Sequence, residues 1–442
     1  MTDTYIDFFK DKTVTLLGLG LLGRGVGDAA FLAQHCRHVF VTDIKTAEEL
    51  RPSLDMLKPY KNIDYCLGRH DTEMFESVDF VIKGAGVRLD NAYIQHAQKR
   101  GVPVYMSTAL FAHLASIKTI GVTGTRGKTT TTCMIAEILQ NAGKKVLLGG
   151  NIRGVSTLAL LPQAHKFDVA VLELDSWQLQ GFDSMGISPN IAVFTNFHPD
   201  HMNYYDGDMA RYLRDKTAIF RHQKTGDIFV TTEDVRALAA PDADIDTMIA
   251  PPLPADVTLK IPGAHNRTNA ALAAAAARAY GISDADIRST LQDFTGVEGR
   301  LQFVDAWNDR LFYNDSNATT QEATLAALNA FPAAATVLIF GGADKGLPVD
   351  RLIDFIAAHK IRCVLIKGTG SDRVRQALPD MPVVDSMHDA VVRAVALSNP
   401  GDNIILSPAF ASFGVFKNEY DRSDQFLHEI AALIAEKQAC SR

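Results

Sequence analysis

A chain of 442 residues exceeds what one hydrophobic core usually organises, so two to three domains of roughly 100 to 200 residues are expected. Its apolar content of 47% and charged content of 21% exclude extensive disorder, and a net charge of −7 gives no electrostatic ground for a nucleic-acid or anionic-membrane partner. Five scattered cysteines, never spaced C-x-x-C, exclude a disulfide framework and a thiolate zinc site and imply a reducing compartment.

The amino terminus carries Asp3, Asp7 and Asp11 and no apolar signal segment. No uninterrupted apolar run approaches the roughly 20 residues of a membrane span, so a cytoplasmic protein without membrane insertion is expected. Short β-branched apolar runs then alternate with longer helix-like stretches: Val14 to Leu17, Val39 to Thr42, Phe80 to Lys83, Thr119 to Val122, Val169 to Leu174 and Ile191 to Thr195. The rhythm restarts near Leu301 and continues through Thr336 to Phe340, Cys363 to Lys367 and Asn403 to Leu406. This is the βαβ pattern of parallel sheets. It divides the chain into three α/β blocks, 1–115, 116–296 and 297–442. The stretch Ala239 to Asp256, rich in Pro, Ala and Asp, reads as a surface loop, because its prolines deny it a continuous ladder or helix.

Gly18-x-Gly20-x-x-Gly23 follows the first strand and should open a helix whose amides face a phosphate, with Asp43 at the end of the next strand. Taken alone, this is either a dinucleotide fingerprint, as in an NAD oxidoreductase, or a set of packing glycines. A stronger signal begins at Gly121 and runs Val-Thr-Gly-Thr-Arg-Gly-Lys128-Thr129-Thr130, between an apolar strand and an amphipathic stretch. Its amides can cradle phosphates, Lys128 supplies positive charge, and the Thr129 hydroxyl suits magnesium. Five residues separate Gly121 from Gly127, where a strict Walker A has four. Glu173, at a strand end beside this loop, is a sensible hard-cation ligand. His198 and His201 lack a nearby third ligand and do not by themselves make a zinc site. Asn266 and Asn269 fall on one face of an alanine-rich helix.

The off-pattern run Thr123-Gly124-Thr125-Arg126-Gly127-Lys128-Thr129 resembles the ATP loop of the Mur ligases and their folylpolyglutamate synthetase relatives. Blocks similar to that family follow in order: Gly149-Gly150-Asn151-Ile152, Glu173 to Leu179, Thr195 to Met202, Lys216, Asn266 to Asn269, Arg300, and Asn314 to Thr319. The segments Gly341 to Lys345 and Ser407 to Asn418 resemble its glutamate-adding branch, and no Asp-Asn-Pro-Arg segment of the diaminopimelate- or lysine-adding ligases is present. Three positions depart from that branch: Arg126, Asn317 and Glu419.

The resemblance implies a Rossmann-like first domain, a central P-loop domain with a parallel sheet, and a Rossmann-like third domain. It implies a monomeric, cytoplasmic ligase of cell-wall synthesis that uses ATP and Mg2+ to join glutamate, as the D isomer, to UDP-N-acetylmuramoyl-L-alanine through an acyl-phosphate, the alternative within the family being a related ligase that uses L-glutamate or another acceptor. Gly124, Thr125, Arg126, Gly127, Lys128, Thr129, Thr130, Asn266, Asn269, Arg300 and Asp315 would contact ATP. Thr129, Glu173, His201 and a carbamate on Lys216 would hold magnesium, with Lys128, His201 and Lys216 acting in catalysis. Leu21, Asp43 and Gly86 would face the UDP group, Asn151 the muramoyl group, and Lys345 and Ser412 the glutamate.

Overall fold

A computed structural model describes residues 4–440 except 22, 153, 202, 203, 241–243 and 413, with no description of the side chains at 419 and 436–440. Met202 and Phe413, members of two motifs above, and the Glu419 side chain therefore lie outside the described residues. One compact unit comprises Met1–Pro252 with Asn269–Ile287, and a second comprises Leu253–Thr268 with Arg288–Arg442.

The first unit holds two parallel sheets. In one, β1 (Thr13–Leu17), β2 (His38–Asp43), β3 (Ile63–Leu67), β4 (Phe80–Lys83) and β5 (Val104–Tyr105) lie in the order β3-β2-β1-β4-β5. Every pair is parallel, with Val14 opposite both Val39 and Phe80. The central strands β1 and β4, buried on both faces, read as nearly continuous apolar runs rather than alternating ones. The chain reverses direction across the sheet between β1 and β4, which leaves a crevice at their carboxyl ends.

The second sheet contains β6 (Lys118–Thr123), β7 (Val146–Gly150), β8 (Val169–Glu173), β9 (Ile191–Phe194), β10 (Ile228–Thr231) and β11 (Thr247–Ile249). Their order is β11-β10-β9-β6-β8-β7, again parallel throughout. β6 thus sits between β9 and β8, so that the segments leaving all three emerge side by side. β11 corrects the reading of Ala239 to Asp256 as loop alone. Thr247, Met248 and Ile249 pair with Phe229, Val230 and Thr231, and Pro251, Pro252 and Pro254 fall beyond the strand, where they interrupt no ladder.

The two sheets' layers meet through small residues. A Cβ at Gly27, on the helix Arg24–His35, would crowd Ser156, and one at Gly181 would crowd Met106. At this seam Ser156 donates to Asp28 at 2.5 Å and Gln178 to Thr108 at 3.0 Å. Burial pushes the Asp28 carboxyl up to about 6 against the pull of Ser156, Ser107 and Arg24.

The second unit carries β12 (Gln302–Trp307), β13 (Arg310–Asn314), β14 (Thr336–Gly341), β15 (Arg362–Ile366), β16 (Val383–Val384) and β17 (Asn403–Leu406) in the order β12-β13-β17-β14-β15-β16. Only β12 runs antiparallel, in a hairpin with β13. Its two-residue turn, Asn308-Asp309, has φ of 46° and 59°, the left-handed pair that matches strand twist and that Asn and Asp tolerate. The α/β class expected from the sequence is the one observed.

Candidate active site

β6 ends at Thr123, and the glycine-rich loop carries the chain to Gly127, which precedes the helix Lys128–Asn141. Gly124 has φ of 145° and Gly127 of 80°, conformations that L side chains rarely adopt. A Cβ at Gly124 would overlap the Thr195 hydroxyl, and one at Gly127 the Asn269 side chain. The segment after β9 grips the loop. The Thr125 N–H donates to the Asn196 carbonyl at 2.9 Å and the Arg126 N–H to Asn196 Oδ1 at 2.8 Å. Thr195 Oγ1 donates to the Arg126 carbonyl at 2.6 Å, and the Thr125 hydroxyl accepts from the His198 N–H at 2.9 Å. The loop is therefore preformed, with a helix N-terminus opening behind it, which is an anion-binding arrangement. Thr129 and Thr130 sit half-buried in the first turn of that helix.

Two lysines converge on the loop. Lys128 Nζ donates to the carbonyls of Gly124 at 3.1 Å and Thr125 at 3.2 Å. Lys216, from the helix Met209–Arg221, is 1% exposed, donates to the same Gly124 carbonyl at 2.8 Å and lies 4.9 Å from the centre of the Tyr212 ring. Burial, reinforced by the Lys128 charge, lowers the Lys216 amine to about 7, against the opposing pull of Asp175, Asp200 and Asp215.

Glu173 closes β8 and is 4% exposed. It accepts from Asn151 Nδ2 at 3.3 Å, while Asn151 Oδ1 accepts from Arg24 at 2.8 Å. Asn151 is thus wired between the first sheet's glycine-rich helix and the carboxylate beside the phosphate loop. His201 stands in the left-handed region at φ 53°, with its ring 4.9 Å from that of Trp177 and 3.8 Å from the Asp200 carboxylate. Arg126 also reaches Asp200 at 3.8 Å, an exposed ion pair of little energetic weight. Among the described residues, no three His, Cys, Asp or Glu side chains gather into a metal-binding group. Asn269 is buried against Gly127 in the first unit. Asn266, in the second unit, is buried and donates to the Pro262 carbonyl at 2.7 Å.

At the β1/β4 crevice, Leu21 is 53% exposed and Gly86 is open. Asp43 differs. Its Oδ2 accepts from the Leu19 and Gly20 N–H groups, both at 2.9 Å, and Oδ1 from the Lys45 N–H at 2.9 Å. The carboxylate expected to face the nucleotide is turned under the glycine loop and holds it.

In the second unit, Asp315 accepts from Ser407 Oγ at 2.8 Å and the Leu301 N–H at 3.1 Å, and burial pushes its carboxyl up to about 7. Arg300 is among the charges that pull it back. Asn317 donates to the Glu298 carbonyl at 3.4 Å. The two carboxyl-terminal motifs are joined directly, because Ala343 and Ala411 exchange N–H···O bonds of 2.9 and 3.1 Å. Lys345 is exposed and donates to Thr319 at 3.1 Å, and Ser412 is 3% exposed.

Sequence reasoning missed three cationic residues. Arg422, wholly buried, donates to the carbonyls of Phe410 at 3.2 Å and Ser316 at 2.8 Å, which ties the serine-rich segment to the Asp315 turn. Lys83, 1% exposed at the end of β4, donates to the Val87 carbonyl at 2.9 Å, and burial lowers its amine to about 8. Arg88 bonds the backbone of Tyr204. Only fully apolar surroundings for a basic residue could have flagged Lys83; Arg88 and Arg422 carried no local signal.

Residues 12–106 match the model of the Mur ligase MurD-like N-terminal domain, and residues 122–243 that of the Mur ligase middle domain. The UDP-N-acetylmuramoylalanine–D-glutamate ligase of Roseiflexus sp. (strain RS-1) is 35% identical, over 94% of this chain and 97% of the relative. That of Bacillus subtilis (strain 168) is 34% identical, over 97% and 99%. Among solved structures, the UDP-N-acetylmuramate-alanine ligase MurC of Thermotoga maritima shares the fold at a TM-score of 0.58 and 18% identity, covering 95% of this chain and 99% of that one. FolC of E. coli does so at 0.53 and 17%, covering 75% and 92%.

Proposed function

The chain belongs to the Mur ligases, in the branch of UDP-N-acetylmuramoylalanine–D-glutamate ligases, and from this we propose that it is an ATP-dependent ligase that adds D-glutamate to UDP-N-acetylmuramoyl-L-alanine in peptidoglycan precursor synthesis. An NAD oxidoreductase built on Gly18 to Asp43 is set aside by full-length similarity to ligases. The observation that carries the chemistry is the convergence of Lys128 and Lys216 on the Gly124 carbonyl at the mouth of the phosphate loop.

Residues 1–115 are assigned to the UDP-substrate, 116–296 to ATP, and 297–442 to the amino acid and nucleotide, in a monomer. Hydroxide is a poor leaving group, so the alanyl carboxylate must first be activated. It attacks the γ-phosphorus of ATP, ADP leaves, and an acyl-phosphate forms. The glutamate amine then attacks the acyl carbon, and phosphate departs as the amine gives up a proton. Gly124 to Thr130 hold the phosphate chain through amides other than those of Thr125 and Arg126, which Asn196 already engages, and Lys128 neutralises charge on the transferring group. Asn269, Asn266, Arg300 and Asp315 hold the nucleotide. Leu21 and Gly86 line the UDP crevice, Asp43 shapes it, and Asn151 meets the muramoyl group. Lys345 and Ser412 hold glutamate, the lysine through its side-chain carboxylate.

Magnesium prefers oxygen and completes its shell with substrate phosphates, which suits a buried Glu173 at the end of β8 and the Thr129 hydroxyl in the first turn of the helix Lys128–Asn141, with His201 from the loop after β9. When bound it would neutralise phosphate charge. The Lys216 amine, lowered to about 7 by burial, can in its uncharged form add carbon dioxide and release a proton, giving a carbamate that presents two anionic oxygens there.

The acyl-phosphate is tested by isotope transfer. With UDP-N-acetylmuramoyl-L-alanine labelled with 18O in its carboxylate, one labelled oxygen should appear in each phosphate released. Unlabelled phosphate under turnover would exclude the acyl-phosphate route.

A further inference from the structure

The wall of the UDP crevice and the turn that carries His201 are joined by one side chain. After β4, the Val87 N–H donates to the Gly84 carbonyl at 3.1 Å and Lys83 Nζ to the Val87 carbonyl at 2.9 Å, so the Gly84 to Val87 turn is fixed from within. Arg88 follows immediately. Its Nη1 donates to the Tyr204 carbonyl at 2.8 Å, Nε and Nη2 bind Asp90 at 2.9 and 2.8 Å, and Nη2 reaches Asp206 at 3.4 Å. The guanidinium carbon lies 4.9 Å from the centre of the Tyr204 ring. Asp90 orients the fork, and the remaining donors face the second sheet's domain.

Tyr204 is in turn the residue that shapes the His201 turn. The Tyr204 N–H donates to the His201 carbonyl at 2.9 Å and the Tyr205 N–H to the same oxygen at 3.1 Å, while His201 is held at φ 53°. A non-glycine residue in that conformation persists only where its surroundings over-determine it. Trp177 completes the arrangement, with its ring centroid 4.9 Å from His201 and 5.2 Å from Tyr204.

We propose that Arg88 is a positioning residue that locks the His201 turn to the wall of the UDP crevice, so that occupancy of the crevice and the placement of His201 are coupled. The inference rests on the ligase reading above. Coupling of this kind is reciprocal: what the UDP-substrate does to the turn through Arg88, the turn does to the UDP-substrate. Arg88 touches no reacting atom. Its loss therefore disorders a ligand-bearing turn without removing the ligand, an effect that typically reaches roughly 10- to 100-fold.

The chain has two tryptophans, so Trp307→Phe leaves Trp177 as the sole emitter, stacked on the residues in question. In this parent protein, free of nucleotide and metal, UDP-N-acetylmuramoyl-L-alanine should change Trp177 emission. In Arg88→Ala and Arg88→Lys that change should vanish while calorimetric affinity for the UDP-substrate stays within about threefold. Under turnover, kcat should fall and half-saturating Mg2+ rise by roughly 10- to 100-fold, with the KM for glutamate unchanged. Arg88→Lys keeps the charge and loses the fork, so it serves if Arg88→Ala fails to fold. A parent whose emission ignores the UDP-substrate, or variants that retain its response and Mg2+ dependence, would overturn the proposal. A parent that turns over no D-glutamate at all would instead overturn the ligase reading.

Discussion

Lys128 and Lys216 bring two primary amines to one carbonyl oxygen, and the environment separates their roles. Lys128 leads the phosphate-loop helix and is assigned to the γ-phosphoryl group; Lys216 is buried, and burial lowers its amine to about 7. Lys128→Ala should lower kcat roughly 100- to 1,000-fold, as loss of a preorganised transition-state charge does. UDP-substrate affinity, measured by calorimetry, should stay nearly intact, because that crevice lies on another sheet. Equal loss of both would indicate unfolding. Lys216→Ala should be nearly inactive and should recover part of its activity when acetate fills the vacated anionic position. Full activity of Lys216→Ala without bicarbonate would remove the carbamate. The place of Lys128 beside a glycine-rich loop was legible in the sequence as a linear pattern, whereas Lys216 was singled out only through the family resemblance. The inward turn of Asp43 was not legible, because it depends on where the Leu19 and Gly20 amides point. Nor was Arg422, whose carbonyl partners are more than ten and more than one hundred residues away.

At the scale of elements, the Asp28–Ser156 contact fixes the helix Arg24–His35 against the 3₁₀ segment Leu158–Lys166, and it makes that seam sensitive to pH. A carboxyl raised from 3.8 to about 6 binds its proton more tightly in the folded state. The stability this contributes is full below the unfolded pKa and is lost as pH rises through about 6. Between pH 4 and pH 7, wild-type unfolding free energy should therefore fall relative to that of Asp28→Asn by about 2 kcal/mol. Parallel curves for the two proteins in denaturant titrations would contradict this. In the second unit, the Ala343–Ala411 bridge seats Lys345 and Ser412 on adjoining segments. Lys345→Ala and Ser412→Ala should raise the KM for glutamate roughly tenfold or more, as lost charge-assisted and neutral hydrogen bonds do, with a much smaller change for ATP. A larger rise for ATP would place these segments at the nucleotide instead. Long buried strands such as β8 and β14 announced themselves as apolar runs. β11 did not, because three residues among prolines earn a ladder only from the neighbour β10 supplies.

For the whole molecule, the sequence made the α/β class and the order of the family's blocks legible, because phosphate loops and parallel strands leave linear signatures. The seams did not leave them. The bonds from Arg24 to Asn151 and from Arg88 to Tyr204 span residues more than one hundred positions apart, on elements that only the folded chain brings together. These bonds lie between the crevice at β1 and β4 and the glycine-rich loop after β6, which share one compact unit. The reaction proposed for this protein is amide formation between UDP-N-acetylmuramoyl-L-alanine and D-glutamate. Phosphate release from ATP, measured with the UDP-substrate and one amino acid at a time, tests it most directly. Release should require the UDP-substrate and be fastest with D-glutamate, with L-glutamate and D-aspartate far slower. Release that is indifferent to the UDP-substrate, or fastest with another amino acid, would contradict it.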